Sequence, residues 1–141
     1  MIIIDATNTI LGRLATRVSK LALEGESIRI TNCEKAFIVG SQGDIIKKYT
    51  LRDNLGSKPP KGPFIPKMPD RMVRRTIKGM LPSNERGRKA LSNVKCYIGV
   101  PEELKDKEAI IIQEASIENL KVPNKLRIDK LCEYLGWQKP K

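Results

Sequence analysis

The sequence predicts an α/β fold: a small, mostly parallel sheet of about four strands, with a basic proline-rich loop insertion and a short C-terminal helical tail. Three observations carry the prediction. Ile2 to Ala6, Leu11 to Ala22 and Ser27 to Cys33 read as strand, helix and strand, and such a succession within about thirty residues joins parallel strands by a right-handed crossover. Two further strand-like runs, Lys95 to Val100 after a helical pattern and Ala109 to Gln113 beyond the proline and acidic turn at Pro101 to Glu103, complete the set. At 141 residues the chain can bury one core, so residues 1–141 are expected to form a single domain with its loop at 53–68 and its tail at 122–141.

Ile2 to Ala6 is a continuous apolar run broken only by Asp5, the pattern of a strand covered on both faces. Leu11, Leu14, Ala15, Val18, Leu21 and Ala22 recur at helical spacing, with Thr9 or Asn8 as the expected cap and Gly25 as terminator. Ala36 to Val39 is too short to assign. From Asp44, a capping residue, to Arg52 the chain fits a short helix with Ile45, Ile46 and Tyr49 on one side, or an edge strand. Gly40 and Gly43 beside Lys47 and Lys48 match neither phosphate-loop spacing.

Residues 54–68 are loop by composition. Pro69 then stands where proline suits a first helical position and Asp70 suits the helix dipole, so a helix is expected through Met80. Its inward stripe is Met72, Val73, Thr76, Ile77 and Met80. Arg71, Arg74, Arg75 and Lys78 form a second stripe. Four cations at helical neighbour positions repel one another unless an external anion neutralises them. The Gly79 to Pro82 segment ends this helix, and Ser83 or Asn84 starts another to about Asn93 with Ala90, Leu91 and Val94 inward. The tail is amphipathic over Ile128 to Leu135, and Trp137 is expected to pack it onto the body.

Charge is concentrated in one stretch. Lys58, Lys61, Lys67, Arg71, Arg74, Arg75, Lys78, Arg86, Arg88 and Lys89 stand there against two acidic residues, Asp70 and Glu85, in a chain of net charge +11. Six prolines stiffen the same stretch. A basic surface of this kind is built for a polyanion, of which nucleic acid is the commonest. The acidic residues around Pro101 to Glu103 are expected on a face turned away from it. No apolar run is long enough to span a bilayer, and the MIIIDA opening has no signal-peptide pattern, so a cytoplasmic protein without a membrane partner is expected.

The same composition argues against catalysis. The chain has no histidine, which removes the usual general base and the usual nitrogen ligand of zinc. Cys33, Cys96 and Cys132 form no CxxC pair and read as small buried hydrophobes. We therefore expect no enzyme activity, cofactor, metal or small-molecule substrate. Two rivals remain. The helices around Pro82 could pass for a DNA-binding helix-turn-helix, although a proline-rich arm precedes them and no Gln or Asn stands on the exposed start of the second. Asp5 at a strand end is an ordinary catalytic position for a nucleotide-processing α/β enzyme, but no phosphate loop accompanies it.

Three stretches, IIIDATNTILGRLAT (2–16), TNCEKAFIVG (31–40) and RMVRRTIKGMLPSNERGRKALSNVKCYIGVP (71–101), resemble the universal L-thirteen family of large-subunit ribosomal proteins in its archaeal form. The LGWQK ending is similar to the archaeal tail. KKYTLR (47–52) departs from the Tyr- and His-containing bacterial stretch, so a histidine contact to RNA does not carry over; Cys96 replaces an aliphatic residue.

The resemblance implies a three-layer α/β/α body and a structural role, binding large-subunit (23S-type) ribosomal RNA beside neighbouring large-subunit proteins in assembly and translation. Bacterial and eukaryotic members are associated with regulatory binding of messenger RNA, a second partner the resemblance brings in. RNA helices hide base edges in a deep groove, and only Phe64 and Tyr49 among the aromatic residues lie near the basic stretch, too few for a stacking platform. The expected contact is therefore to phosphate backbone and shape. The ten basic residues above would form it, with Lys58, Lys61 and Lys67 extending it into a neighbouring groove and ordering only on RNA. Arg13, Arg17, Lys47, Lys48 and Arg52 are a secondary set, and Gly62 and Gly87 would either admit close backbone approach or serve turn geometry alone.

Overall fold

The computed structural model describes residues 1–55, 62–121 and 123–140. Three parallel strands form the main sheet in the order β1 (Ile2–Asp5), β2 (Ile28–Thr31) and β4 (Val94–Cys96). Ile2 pairs with Ile28, and Ile28 with Val94. The crossover from β1 to β2 is α1 (Leu11–Leu23), as the βαβ reading expects. A second, antiparallel pair joins β3 (Phe37–Val39) to β5 (Lys125–Arg127). It is followed at once by α5 (Ile128–Tyr134). Between them lie α2 (Gln42–Asp53), α3 (Pro69–Met80) and α4 (Glu85–Ser92).

One face of the sheet builds the core. Ile4, Ile28, Ile30 and Val94 pack with Leu14 and Val18 of α1 and with Val73 and Ile77 of α3. The opposite face is covered more lightly: Ile3 is buried, Arg29 half-buried and Lys95 exposed. Helices α1, α3 and α4 therefore form one side of the body, with α3 lying against both α1 and β4. Their outward faces are where polar and cationic side chains must go.

Four local expectations are corrected. Ala109 to Gln113 is no strand; Ile110 alone bonds β1, donating to the Ile3 carbonyl at 2.8 Å and accepting from the Asp5 amide at 3.1 Å. Ile110 and Ile111 are exposed, so this apolar run lacks the burial that would sustain a longer ladder. The N-cap of α1 is Ile10, because the Thr9 hydroxyl is spent on the Ala6 carbonyl at 2.8 Å and Asn8 takes a left-handed turn. Asp44 lies inside α2, whose N-cap is Ser41, and the edge-strand alternative for this segment falls away. Met80 is exposed, reaching the Thr16 hydroxyl on α1 rather than the core.

The tail follows its expectation. Ile128, Leu131, Cys132 and Leu135 are buried, and Trp137 packs on the same core. Cys33 and Cys132 are buried and Cys96 half-buried, all three as free thiols.

Candidate nucleic-acid interface

The interface is organised by α3. Pro69 opens it after an extended Met68, and burial of Met72, Val73 and Ile77 fixes which faces point outward. Arg71, Arg75 and Lys78 are exposed; Arg74 is not. The Arg74 guanidinium turns back, donating from Nη1 to the Val94 carbonyl at 2.5 Å and from Nη2 to the Leu91 carbonyl at 3.3 Å. It thus occupies carbonyls in and just past the last turn of α4, where a cation also suits the helix dipole. The four-cation stripe read from spacing is therefore three outward cations and one internal tie.

Helix α4 begins with a built cap. The Asn84 Oδ1 accepts from the Gly87 amide at 3.0 Å. Gly87 is buried, and a Cβ there would overlap the Pro82 carbonyl. Its lack of a side chain thus serves the turn from α3 into α4, the turn-geometry reading of this glycine. Arg86, Arg88 and Lys89 are all exposed, and Arg86 also donates to the Leu23 carbonyl of α1 at 3.4 Å. Asn84, committed to its cap, is not free to read bases, which weakens the helix-turn-helix rival.

The proline loop is partly docked. Arg75 Nη1 donates to the Phe64 carbonyl at 2.9 Å, and Ile65 packs against the core. Lys67 Nζ lies 3.8 Å from Asp53 at the end of α2. Lys58 and Lys61 lie outside the described residues. Two clefts result. One, about 670 Å³, lies between Phe64, Arg71, Arg75, Lys78, Gly79 and Leu91. The other, about 200 Å³, is lined by Tyr49, Arg52, Ile65, Arg75 and Gly79. Arg75 and Gly79 line both, so the secondary residue Arg52, whose guanidinium lies 6.0 Å over the Tyr49 ring, joins the primary surface.

Elsewhere, Arg13 and Arg17 line a separate groove of about 310 Å³ with Lys20, Ile112 and Glu114. Arg13 donates to the Glu114 carbonyl at 3.2 Å. Lys47 and Lys48 are exposed on α2. Among the described residues only Lys67–Asp53 and Arg127–Asp129 form ion pairs, so the cations of α3 and α4 meet no carboxylate there. No three His, Cys, Asp or Glu side chains of the described residues converge as a metal site. Asp5, the enzyme rival's residue, accepts from the Thr7 amide at 2.9 Å, the Thr7 hydroxyl at 2.7 Å and Asn32 at 3.0 Å. Burial opposes its ionisation, yet these bonds and the Lys35 charge hold its carboxyl below the usual range. That carboxylate is a tie between strand ends, with no sign of a base awaiting a proton.

The model of the family described as Ribosomal protein L13 matches residues 1–103. The chain belongs to the ribosomal protein L13 family. A large ribosomal subunit protein uL13 of Methanosarcina barkeri is 45% identical over 138 residues, which cover 96% of this chain and 98% of the relative. Those of Natronomonas pharaonis and Sulfolobus acidocaldarius are 41% and 37% identical, again over 96% of this chain and over 90% and 93% of their own length. The likeness extends past residue 103 and so includes the α5 tail. A ribosomal protein of this family is structural rather than enzymatic.

Two residues of this L13 surface stood in the sequence without being assigned to RNA contact. Phe64 stands exposed at the mouth of the larger cleft, and Lys20 joins Arg13 and Arg17 in their groove. For Lys20 the signal was present, since it follows Arg13 and Arg17 at helical spacing. For Phe64 it was not: a lone aromatic in a proline loop says nothing about what lies beside it.

Proposed function

We propose that the protein is a structural constituent of the large ribosomal subunit, and that it binds large-subunit ribosomal RNA by phosphate and shape alongside neighbouring subunit proteins. Family membership supports the ribosomal part. The exposed, unneutralised cations Arg71, Arg75, Lys78, Arg86, Arg88 and Lys89 carry the RNA part. Guanidinium forks suit phosphate oxygens, and several on one rigid helix fix a register along a backbone. Lys67 widens this surface, and Arg13, Arg17, Lys47, Lys48 and Arg52 offer secondary contacts. Among the described residues no helix is long and apolar enough to cross a membrane. A regulatory contact with messenger RNA would use the same phosphate chemistry, and no feature of the described surface favours it.

Sedimentation of the native protein through a sucrose gradient tests the reading. Co-migration with large subunits is expected; a wholly free pool would refute it.

A further inference from the structure

The larger cleft contains a chemistry that phosphate binding alone does not require. Phe64 is 73% exposed, and no large apolar side chain of the described residues is more so. Leaving such a ring in water is unfavourable, yet its segment is held: Arg75 bonds the Phe64 carbonyl and Ile65 packs on the core. Beside the ring the cleft wall is apolar at Pro66, Gly79 and Leu91, and Arg71 and Lys78 supply charge. Gly79 matters by what it lacks. A Cβ there would meet nothing within 4 Å, so packing does not require glycine at a position where helices disfavour it.

We propose that this cleft seats one unstacked nucleotide of the bound RNA, its base against the Phe64 ring and the adjoining phosphates on Arg71 and Lys78. The proposal rests on the RNA-binding reading above and deepens it. Proteins recognise RNA loops and bulges by stacking splayed bases on aromatic rings. A cleft of about 670 Å³ is of the size that takes a ligand of nucleotide scale. A single ring cannot be a platform for successive bases, but it suffices for one. The remaining surface would read backbone.

The test measures binding to deproteinised archaeal large-subunit ribosomal RNA across a salt series. Phe64→Ala is expected to weaken binding about ten-fold with the salt slope unchanged, the loss of one stacked base. Phe64→Tyr should restore affinity and Phe64→Leu should not. Gly79→Leu, whose side chain would occupy the open cleft, should weaken binding while leaving the thermal midpoint intact or raised. In chemical probing, one base protected by the native protein should become reactive in the Phe64→Ala complex. Native affinity in Phe64→Ala or in Phe64→Leu would overturn the nucleotide seat. If the salt slope persisted in that case, the phosphate reading would stand without it, whereas a flat slope would remove both.

Discussion

Arg74 donates from Nη1 to the carbonyl of Val94 at 2.5 Å, which couples the middle of α3 to the first residue of β4. With its second bond to Leu91, it belongs to the fold more than to the surface, although its charge remains beside the cleft.

Arg74→Ala should therefore lower stability by about 1–3 kcal/mol, the cost of charge-assisted hydrogen bonds lost and carbonyls left unpaired. Arg71→Ala, on the outward face, should change it by no more than about 0.5 kcal/mol. Urea denaturation of the two variants checks this. Equal midpoints would mean that Arg74 is not a structural tie.

The same contrast shows what could be read from the chain alone. The limits of α3 were visible, because Pro69 and the Gly79 to Pro82 break are local signals. The βαβ unit was visible too, since α1 buries the helically spaced residues of its own sequence. β3 was not, because three residues become a strand only by pairing with Lys125–Arg127 from far along the chain. Ala109 to Gln113 misled for the converse reason: an apolar run predicts burial, and here Ile110 and Ile111 are left exposed. The basic stretch was legible as a surface from composition. That Arg74 turns inward and Arg75 pins Phe64 depends on carbonyls supplied by other segments, which spacing cannot reveal.

Two glycines of the same basic stretch should respond oppositely to alanine. Gly87→Ala drives a Cβ into the Pro82 carbonyl and should cost about 1–3 kcal/mol or prevent folding. Gly79→Ala meets open space on an exposed helix and should stabilise by about 0.5–1 kcal/mol. Thermal denaturation separates them; destabilisation by both would show that the α3 geometry around Gly79 is tighter than described.

Burial first, then the Asp129, Asp70 and Glu133 charges, push the Cys132 thiol up to about 12. Because the folded value lies above the unfolded one, this stabilisation is full below about pH 9 and is lost as pH rises toward about 12. Cys132→Val should flatten part of that alkaline decline in a stability-against-pH series. An unchanged decline would rule out Cys132 as a contributor. Native-state alkylation at pH 8 should correspondingly spare Cys132 and Cys33, both buried.

Neutralisation of RNA phosphates by the outward face of α3 and α4 is tested most directly by the salt dependence of binding to deproteinised large-subunit RNA. With about six phosphates neutralised, log affinity should fall against log salt with a slope of about −4 to −5. Replacing Arg71 and Lys78 together by alanine should make it shallower by about 1.5–2. A flat dependence, or a slope that this double substitution leaves unchanged, would contradict the account.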